Sequence, residues 1–372
     1  SEENLSFQRK LHPTSSEMGN IDIAAQAEGI REFTYYNKSC KCLVYTDEEP
    51  PRGPNSKAVE IALEFAKLTS AEILEEIHFM RKIVVDGSNT SGFQRTGLIA
   101  MGGQIKYEGG TLDIEQICLE EDSCRRGENK DEYLIDRLGI PLLEVTTKPQ
   151  LKESIQVKQA ARALGRLLRA CRVKRGLGTI RQDVNVSIND GNRVELKGFQ
   201  DLSTMNQVVE KEIKRQTKLN SLVKGKTCKP IDVSQIFKGK RGFAFACKIE
   251  DWNGVLGNKD SEEDHLRMGR ELADHAKKAG LKGIMHSDEL PAYGVNNSET
   301  KEINSKLKCK VKDAFILLFG NEQEVRNAME KIIERIGNYG VQKEVRRVTP
   351  EGQTRYLRPM PGASRMYPET DI

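Results

Sequence analysis

The chain has 372 residues, 37% of them hydrophobic and 31% charged, with 59 basic against 55 acidic side chains and a net charge of +4. That length supplies two or three domains with real cores and the composition is that of a soluble globular protein. No run of about 18 apolar residues exists to cross a membrane, and the polar segment Ser1 to Arg9 does not read as a secretory signal.

The charge balance alone does not announce nucleic acid, although it permits a local basic surface. Eight cysteines are scattered without CxxC spacing, and Cys40 and Cys42 have no second pair. Reduced cytosolic thiols are expected rather than disulfides or zinc ligands.

From Asn55 to Lys67 the apolar residues Val59, Ile61, Ala62, Phe65 and Ala66 follow a helical period, and Glu76 to Val85 then shifts toward strand character. The loop Asp86 to Gly92 is rich in glycine, hydroxyls and amides and runs into Phe93-Gln94-Arg95-Thr96. Ser88, Asn89, Thr90 and Ser91 can offer hydroxyls and backbone N–H groups to phosphate oxygens, with Arg95 as a charge clamp. An ordinary hairpin loop has the same composition.

Next come Glu120, Glu121 and Asp122, then Asp136, Arg137 and Glu144, a carboxylate cluster beside an arginine. Such clusters suggest a magnesium-phosphate site. Glu144 ends the apolar run Ile140 to Leu143, as expected at the mouth of a buried strand, where a carboxylate reaches a cleft without being desolvated in the core. The alternative is that Glu120, Glu121 and Asp122 close an edge strand and meet Arg125 and Arg126.

Glu153 to Cys171 is the clearest helix, with Ile155, Ala160, Leu164, Leu167, Leu168 and Cys171 on an apolar stripe. The basic run Arg162, Arg166, Arg169, Arg172, Lys174 and Arg175 suits either solvent or an RNA backbone. Asp183 to Ile188 and Arg193 to Lys197 alternate strictly and form a hairpin. A three-residue loop, Asn189 to Gly191 with Gly191 left-handed, sets Val184 opposite Leu196 and Val186 opposite Val194. One face then buries valine and leucine. The other aligns Asp183, Asn185 and Ser187 with Lys197, Glu195 and Arg193, a polar set suited to a substrate cleft or to solvent.

Met205 to Leu219 reads as a helix and Asn220 to Pro230 as a basic linker near a domain boundary. Beyond it Arg241 to Lys248 is strand-like, Arg267 to Ala279 a helix, Gly280 to Met285 and Asp313 to Phe319 strands, and Glu322 to Gly337 a helix. That is an α+β pattern with its own core.

The strings Arg137-Leu-Gly-Ile-Pro-Leu-Leu-Glu144, Gly178-Thr-Ile-Arg-Gln-Asp-Val-Asn-Val-Ser187, Val194-Glu-Leu-Lys197, Asp288-Glu-Leu-Pro-Ala-Tyr-Gly294, Arg355-Tyr-Leu-Arg-Pro359 and Arg365-Met-Tyr-Pro-Glu-Thr-Asp371 resemble the family of archaeal glutamyl-tRNA(Gln) amidotransferase E-type subunits (GatE), related to the bacterial B-type subunits (GatB). The resemblance covers essentially the whole chain. It implies an α+β fold: a mostly antiparallel-sheet cradle catalytic domain over residues 1–230, an inserted aspartyl-tRNA synthetase-like α+β domain over 231–340, and a return segment over 341–372. The insertion is suggested by the segment around His286 to Pro291. The family's Gly-x-Glu-x-His opening strand and its C-terminal helical and tail domains are expected to lie outside this chain, and the hinge between Phe237 and Arg241 is shorter than the family pattern.

The resemblance further implies a cytoplasmic, ATP- and Mg2+-dependent reaction. ATP phosphorylates the γ-carboxylate of glutamate attached to tRNA(Gln), and ammonia from a separate D-type amidase subunit displaces the phosphate. Two such amidase subunits and two E-type subunits are expected to form a heterotetramer. A carboxylate is a poor acyl donor toward ammonia, and phosphorylation supplies a leaving group. Carried over by position, Glu121 and Glu144 match metal-binding catalytic glutamates, with Arg137 beside them. Ser88, Asn89, Thr90, Ser91, Arg95, Arg181, Asp183, Asn185, Glu195 and Lys197 are the candidates to hold ATP and substrate. The alternatives are a tRNA-binding scaffold without its own chemistry and an aspartyl-tRNA synthetase-like enzyme; the second requires aminoacylation motifs that the chain does not display.

Overall fold

The computed structural model describes residues 5–15, 19–37, 43–189, 191–199, 201–237, 242–257 and 267–369; the side chains of Leu5, Tyr45, Asp136, Arg137 and Leu138 also lie outside the described residues. The fold is α+β, with seven helices and three sheets among the described residues. The chain forms two units, one of residues 1–182, 200–206 and 358–372, the other of 183–199 and 207–357.

The first unit contains β1 (Leu5–Leu11), α1 (Ile23–Glu28), β2 (Arg31–Asn37), α2 (Ser56–Leu68), β3 (Glu72–Ile73), β4 (Phe79–Ile83), β5 (Phe93–Met101), β6 (Gln104–Tyr107), β7 (Gly110–Arg126), β8 (Glu132–Thr147) and α3 (Ser154–Ala170). The second contains β9 (Val184–Val186), β10 (Val194–Lys197), most of α4 (Met205–Ser221), β11 (Lys226–Thr227), β12 (Ile231–Asp232), β13 (Phe243–Glu250), α5 (Met268–Lys278), β14 (Met285–His286), α6 (Asn297–Leu307), β15 (Ala314–Gly320), α7 (Glu322–Gly337), β16 (Glu344–Val348) and most of β17 (Thr354–Pro359). The last strand, β18 (Met366–Pro368), returns to the first sheet.

The first sheet has the order β1-β2-β8-β7-β5-β4-β18, with β3 attached to β5 and β6 to β7. Only the β2–β8 pair is parallel. Its backbone is the long β7/β8 hairpin, whose register runs from Ile117 opposite Val145 to Asp122 opposite Ile140 without interruption. Because strand side chains alternate faces, Ile117, Leu119, Leu143 and Val145 share one face, and there they meet Phe65 and Ala66 of α2 and Leu164, Leu167 and Leu168 of α3. Asn55 caps α2 by accepting from the Ala58 N–H at 3.2 Å, and Glu153 with Gln156 forms a reciprocal capping box on α3. Ile155, expected on the apolar stripe, is instead 43% exposed; it sits in the first turn, ahead of the part of the helix that reaches this core.

Two expectations about the acidic strands change. Glu120, Glu121 and Asp122 do not close an edge, because β7 is an interior strand flanked by β8 and β5. Glu144 does not end its strand, which continues to Thr147. Past Asp122 the register jumps so that Cys124 faces Ile135. The extra residues 136–139 make a bulge on β8, where Gly139 takes φ +67°, a conformation that costs glycine little.

In the second unit β9 and β10 pair as expected, Val186 with Val194 and Val184 with Leu196. The left-handed residue is Asn189, at φ +42°, rather than Gly191. Glycine is required at 191 for another reason: a Cβ there would lie 2.7 Å from the Ile188 carbonyl oxygen. This hairpin joins the sheet β17-β16-β10-β9, through a parallel β10–β16 pair. A separate sheet, β11-β13-β15-β14 with β12 on β13, carries its own core of Phe237, Ala246, Phe315 and Leu317 beneath α6. The strand expected over Gly280 to Met285 is confined to Met285–His286. Helix α6, too polar to announce itself by an apolar period, is started by an Asn296/Glu299 capping box. The short hinge lies at residues 238–241, outside the described residues.

Within this unit five charged side chains are almost wholly buried together. Arg346 donates to Glu271 at 2.7 Å and to Glu344 at 2.7 Å, while Arg215 donates to Glu212 at 2.9 Å and to Glu344 at 3.2 Å. Burial alone would raise the Glu212 and Glu271 carboxyls, but the guanidiniums of Arg215 and Arg346 hold both below the usual carboxylate range. Replacing Arg346 by Met takes from the buried Glu271 and Glu344 their shortest cation contacts, leaving only Arg215 at 3.4 and 3.2 Å, and is expected to destabilise this unit by about 3–5 kcal/mol, read as a lower thermal midpoint. A depressed folded pKa contributes stability above the unfolded value of about 4.3 that disappears as pH falls through the folded value. Acid unfolding of the native protein is therefore expected below the ordinary carboxylate range, and at higher pH for the Arg346→Met variant.

Candidate functional site

The two faces of the β7/β8 ladder carry different charged clusters. On the face away from the α2/α3 core, Cys118 lies opposite Glu144 and Glu120 opposite Leu142, with Thr96 of β5 beside Glu120. Lys82, on β4, joins this face through its pairing with Gln94. Its ammonium makes a short hydrogen bond with Glu120 and lies 3.8 Å from Glu144. Lys82 and Glu120 are largely buried, whereas the Glu144 side chain is 45% exposed. The cluster therefore opens to solvent at Glu144. Asp122, one step along the same face, has Arg181 at 4.0 Å.

Burial raises the Glu120 carboxyl, but Lys82, the hydrogen bond shared with Glu144 and the charge of Arg365 outweigh it and hold Glu120 below the usual range. The Cys118 thiol is pushed up to about 12 by burial and by Glu144 and Glu120. It is thus protonated at neutral pH and no nucleophile. The Thr96 hydroxyl is buried without a hydrogen-bond partner, next to the carboxylates.

On the opposite face Glu121 meets Arg95. The Arg95 guanidinium, 5% exposed, donates from Nη1 to Glu121 at 2.9 Å and to the Arg52 carbonyl at 2.9 Å, and from Nε and Nη2 to Glu369 at 2.9 Å each. It also sits over the Phe79 ring at 4.6 Å. Burial raises the Glu121 carboxyl, and although Arg95 opposes this, Glu369 adds to it and the net displacement is upward. Glu369 belongs to the Pro-Glu-Thr-Asp string, so this clamp fastens the end of the described chain onto β5 and β7.

The structure thus does not bring Glu121 and Glu144 together as a ligand pair: the period of two puts them on opposite faces. Nor is Arg95 a free phosphate clamp, since its donors are committed to Glu121, Glu369 and Arg52. Arg137 falls in the β8 bulge and its side chain lies outside the described residues. The Ser88 to Ser91 loop folds on itself. Asp86 accepts from the Ser88 N–H at 2.9 Å and hydroxyl at 2.6 Å, and the Ser91 hydroxyl donates to the Phe93 carbonyl at 3.2 Å. Asn89 and Thr90 are buried, and the Thr90 hydroxyl has no partner. In the second unit Asp183, Glu195 and Lys197 do come together, with Lys197 2.7 Å from Asp183 and 2.6 Å from Glu195, and Asn185 opposite Glu195. Burial lowers the Lys197 ammonium, but these two carboxylates hold it above its ordinary value.

From sequence alone Lys82 and Thr96 do not stand out, and Glu121 is preferred to Glu120. Lys82 has no local signal, because only the β4–β5–β7 register carries it to Glu120. Among the described residues no group of three or more His, Cys, Asp or Glu side chains is arranged to hold a metal ion. Two carboxylates on one face beside an unpartnered hydroxyl nevertheless suit magnesium, which takes one or two carboxylates and completes its shell with water and phosphate oxygens.

Comparison with known proteins gives three consistent findings. The family model described as the GatB/GatE catalytic domain matches residues 5–372. The E-type subunits of glutamyl-tRNA(Gln) amidotransferase from Thermococcus gammatolerans and from Pyrococcus furiosus are each 44% identical to this chain over 99% of its length and 63% of theirs. The same protein of Methanothermobacter thermautotrophicus is 42% identical over 98% of this chain and 62% of its own length. The chain therefore spans less than two thirds of these relatives. Among the described residues no helix is long and apolar enough to cross a membrane.

Two outcomes are expected from these clusters. Arg95→Ala takes the buried cation from Glu121 and leaves the fully buried Glu369 with only the longer contact of Arg81 at 3.3 Å, and is expected to cost about 3–5 kcal/mol of stability, measured by denaturant unfolding. Lys82→Met removes the cation that opposes desolvation, so the Glu120 titration, followed by carbon-13 NMR of its carboxyl, moves up from below to above the usual range.

Proposed function

The chain belongs to the GatB/GatE catalytic-domain family, and on that premise we propose that it is the ATP-dependent catalytic part of a tRNA-dependent amidotransferase, converting Glu-tRNA(Gln) to Gln-tRNA(Gln). The observation that carries this reading is the Lys82–Glu120–Glu144 cluster, a cation and two carboxylates on one solvent-opening sheet face. A carboxylate oxygen of the tRNA-bound glutamate attacks the γ-phosphorus of ATP and ADP leaves. Ammonia then attacks the acyl carbon and phosphate leaves, giving the amide.

Lys82 is assigned the transferring phosphoryl group, whose negative charge it neutralises where water is largely excluded. Glu120 and Glu144, with Thr96, are the residues assigned to hold magnesium. That ion would supply charge neutralisation of the phosphates. Ser88 to Ser91 and Arg137 are retained as neighbours of the nucleotide, while Glu121 and Arg95 are assigned to holding the sheet together. The hairpin face of Asp183, Asn185, Glu195 and Lys197 is assigned to the polar parts of the substrate.

Ammonia is assigned to a separate D-type amidase partner, as the resemblance implies; the buried thiols of Cys118 and Cys247 are both pushed up to about 12 and are not nucleophiles. Residues 231–340 are assigned as an inserted aspartyl-tRNA synthetase-like domain, two copies each of amidase and transferase as the assembly, and the cytoplasm as its location.

Incubation of the full-length protein with γ-labelled ATP, magnesium and Glu-tRNA(Gln), without an ammonia donor, is expected to label the tRNA-bound glutamate as acyl phosphate. Glu144→Gln, Glu120→Gln and Lys82→Met are each expected to lower that labelling by about 10²-fold or more, with Glu121→Gln lowering stability but sparing the chemistry. Labelling abolished in a folded Glu121→Gln variant and retained in Glu120→Gln would overturn the assignment.

A further inference from the structure

The outward side of α3 has no part in the chemistry above, yet its charge is the most one-sided in the chain. Between Glu153 and Asp183 there are eight basic residues and no acidic one, in a protein whose basic and acidic residues are otherwise nearly balanced. The inner side of α3 is absorbed by the core through Ala163, Leu164, Leu167 and Leu168. Arg162, Arg166 and Arg169 stand on the outer side, at spacings of four and three that place them one above another along about 10 Å of helix.

Other exposed helices of this chain carry their charge differently. On α7, Glu322 meets Arg326 at 2.7 Å, and on α6, Glu302 meets Lys306 at 3.9 Å, both four residues apart. On α3 no acid is available at that spacing. Like charges left in a row repel one another, so the arrangement calls for an anionic surface from outside. The ends of the row are partly answered from within the unit: Arg172 lies 3.5 Å from Glu64 and 3.6 Å from Glu60, Arg175 donates to the Arg169 carbonyl at 2.9 Å, and Asp201 offsets part of the charge of Lys158 and Arg162.

The segment that leaves α3 turns back along it. Gln182 donates to the Ala161 carbonyl at 3.1 Å, and the preceding Arg181, 67% exposed, reaches within 4.0 Å of Asp122. The basic row and the acidic face of the sheet are thereby joined through Arg181. We infer that Arg162, Arg166 and Arg169, continued by Arg181, form a docking surface for the phosphate backbone of RNA, the arm of the tRNA whose aminoacylated end is processed beside Glu120 and Glu144. The second half of this inference rests on the function proposed above; the first half, an RNA backbone on α3, does not.

The test is the salt dependence of binding of a fluorescent tRNA(Gln) transcript to the full-length protein, for the native chain, an Arg162→Gln/Arg166→Gln variant and a Lys331→Gln control on α7. Each phosphate contact removed flattens the slope of log affinity against log salt by about 0.7–0.9. The double variant is therefore expected to lose about 1.5 from the slope and about tenfold in affinity at low salt, with an unchanged melting temperature, while Lys331→Gln behaves as native. A folded double variant with native slope and affinity overturns the surface. So does one that binds RNA normally but no longer co-elutes with the amidase partner, which makes the face a protein interface. A flattened slope in a protein that shows no acyl-phosphate labelling keeps the surface and removes the proposed chemistry instead.

Discussion

The period of two along the β7/β8 ladder governs how this protein uses its charges. Over the uninterrupted register from Ile117 to Asp122, a shift of one residue exchanges the core side for the open side. Leu119, Glu121, Leu143 and Val145 are thereby committed to one face and Cys118, Glu120 and Glu144 to the other. Adjacent glutamates in sequence, Glu120 and Glu121, consequently have unrelated partners and opposite pKa displacements.

Each charged cluster answers its burial differently. Around Arg95 the guanidinium is saturated by two carboxylates and a carbonyl, an arrangement in which removal of the guanidinium leaves buried carboxylates short of their cation. The Glu212, Arg215, Glu271, Glu344 and Arg346 network of the second unit joins more charges, fixing α4, α5, β16 and β17 against one another within that unit, with one Glu344 oxygen left without a partner. The Lys82 cluster differs, since Glu144 remains half in solvent and Thr96 keeps an unused hydroxyl. On the function proposed above, this open face, rather than the Arg95 face, is where a ligand completes the set.

Much of the fold was legible because it rests on local pattern. The helices α2 and α3 follow from their apolar periods, α4, α5 and α7 are read as helices at nearly their observed bounds, and the β9/β10 register follows from the need to bury Val184, Val186, Val194 and Leu196 together. Family strings carried the overall identity. What was not legible depends on pairing at long range. β7 and β8 run 17 and 16 residues without one alternation throughout, because the ladder passes from the α2/α3 core at one end to a second core around Cys124, Tyr133 and Ile135 at the other. Choosing Glu120 over Glu121 requires the register of three strands and the position of the bulge at 136–139, none of which a spacing reveals. Lys82 reaches Glu120 across 38 residues of chain, and Glu369 reaches Arg95 across 274.

The most direct measurement of the central assignment is anomalous diffraction from crystals of the full-length protein soaked with manganese and a non-hydrolysable ATP analogue. Manganese is expected on the open face, ligated by Glu120 and Glu144, with Glu121 still held by Arg95. A manganese peak at Glu121, with the Arg95 clamp opened to admit it, would contradict the division of the sheet into a working face and a structural one.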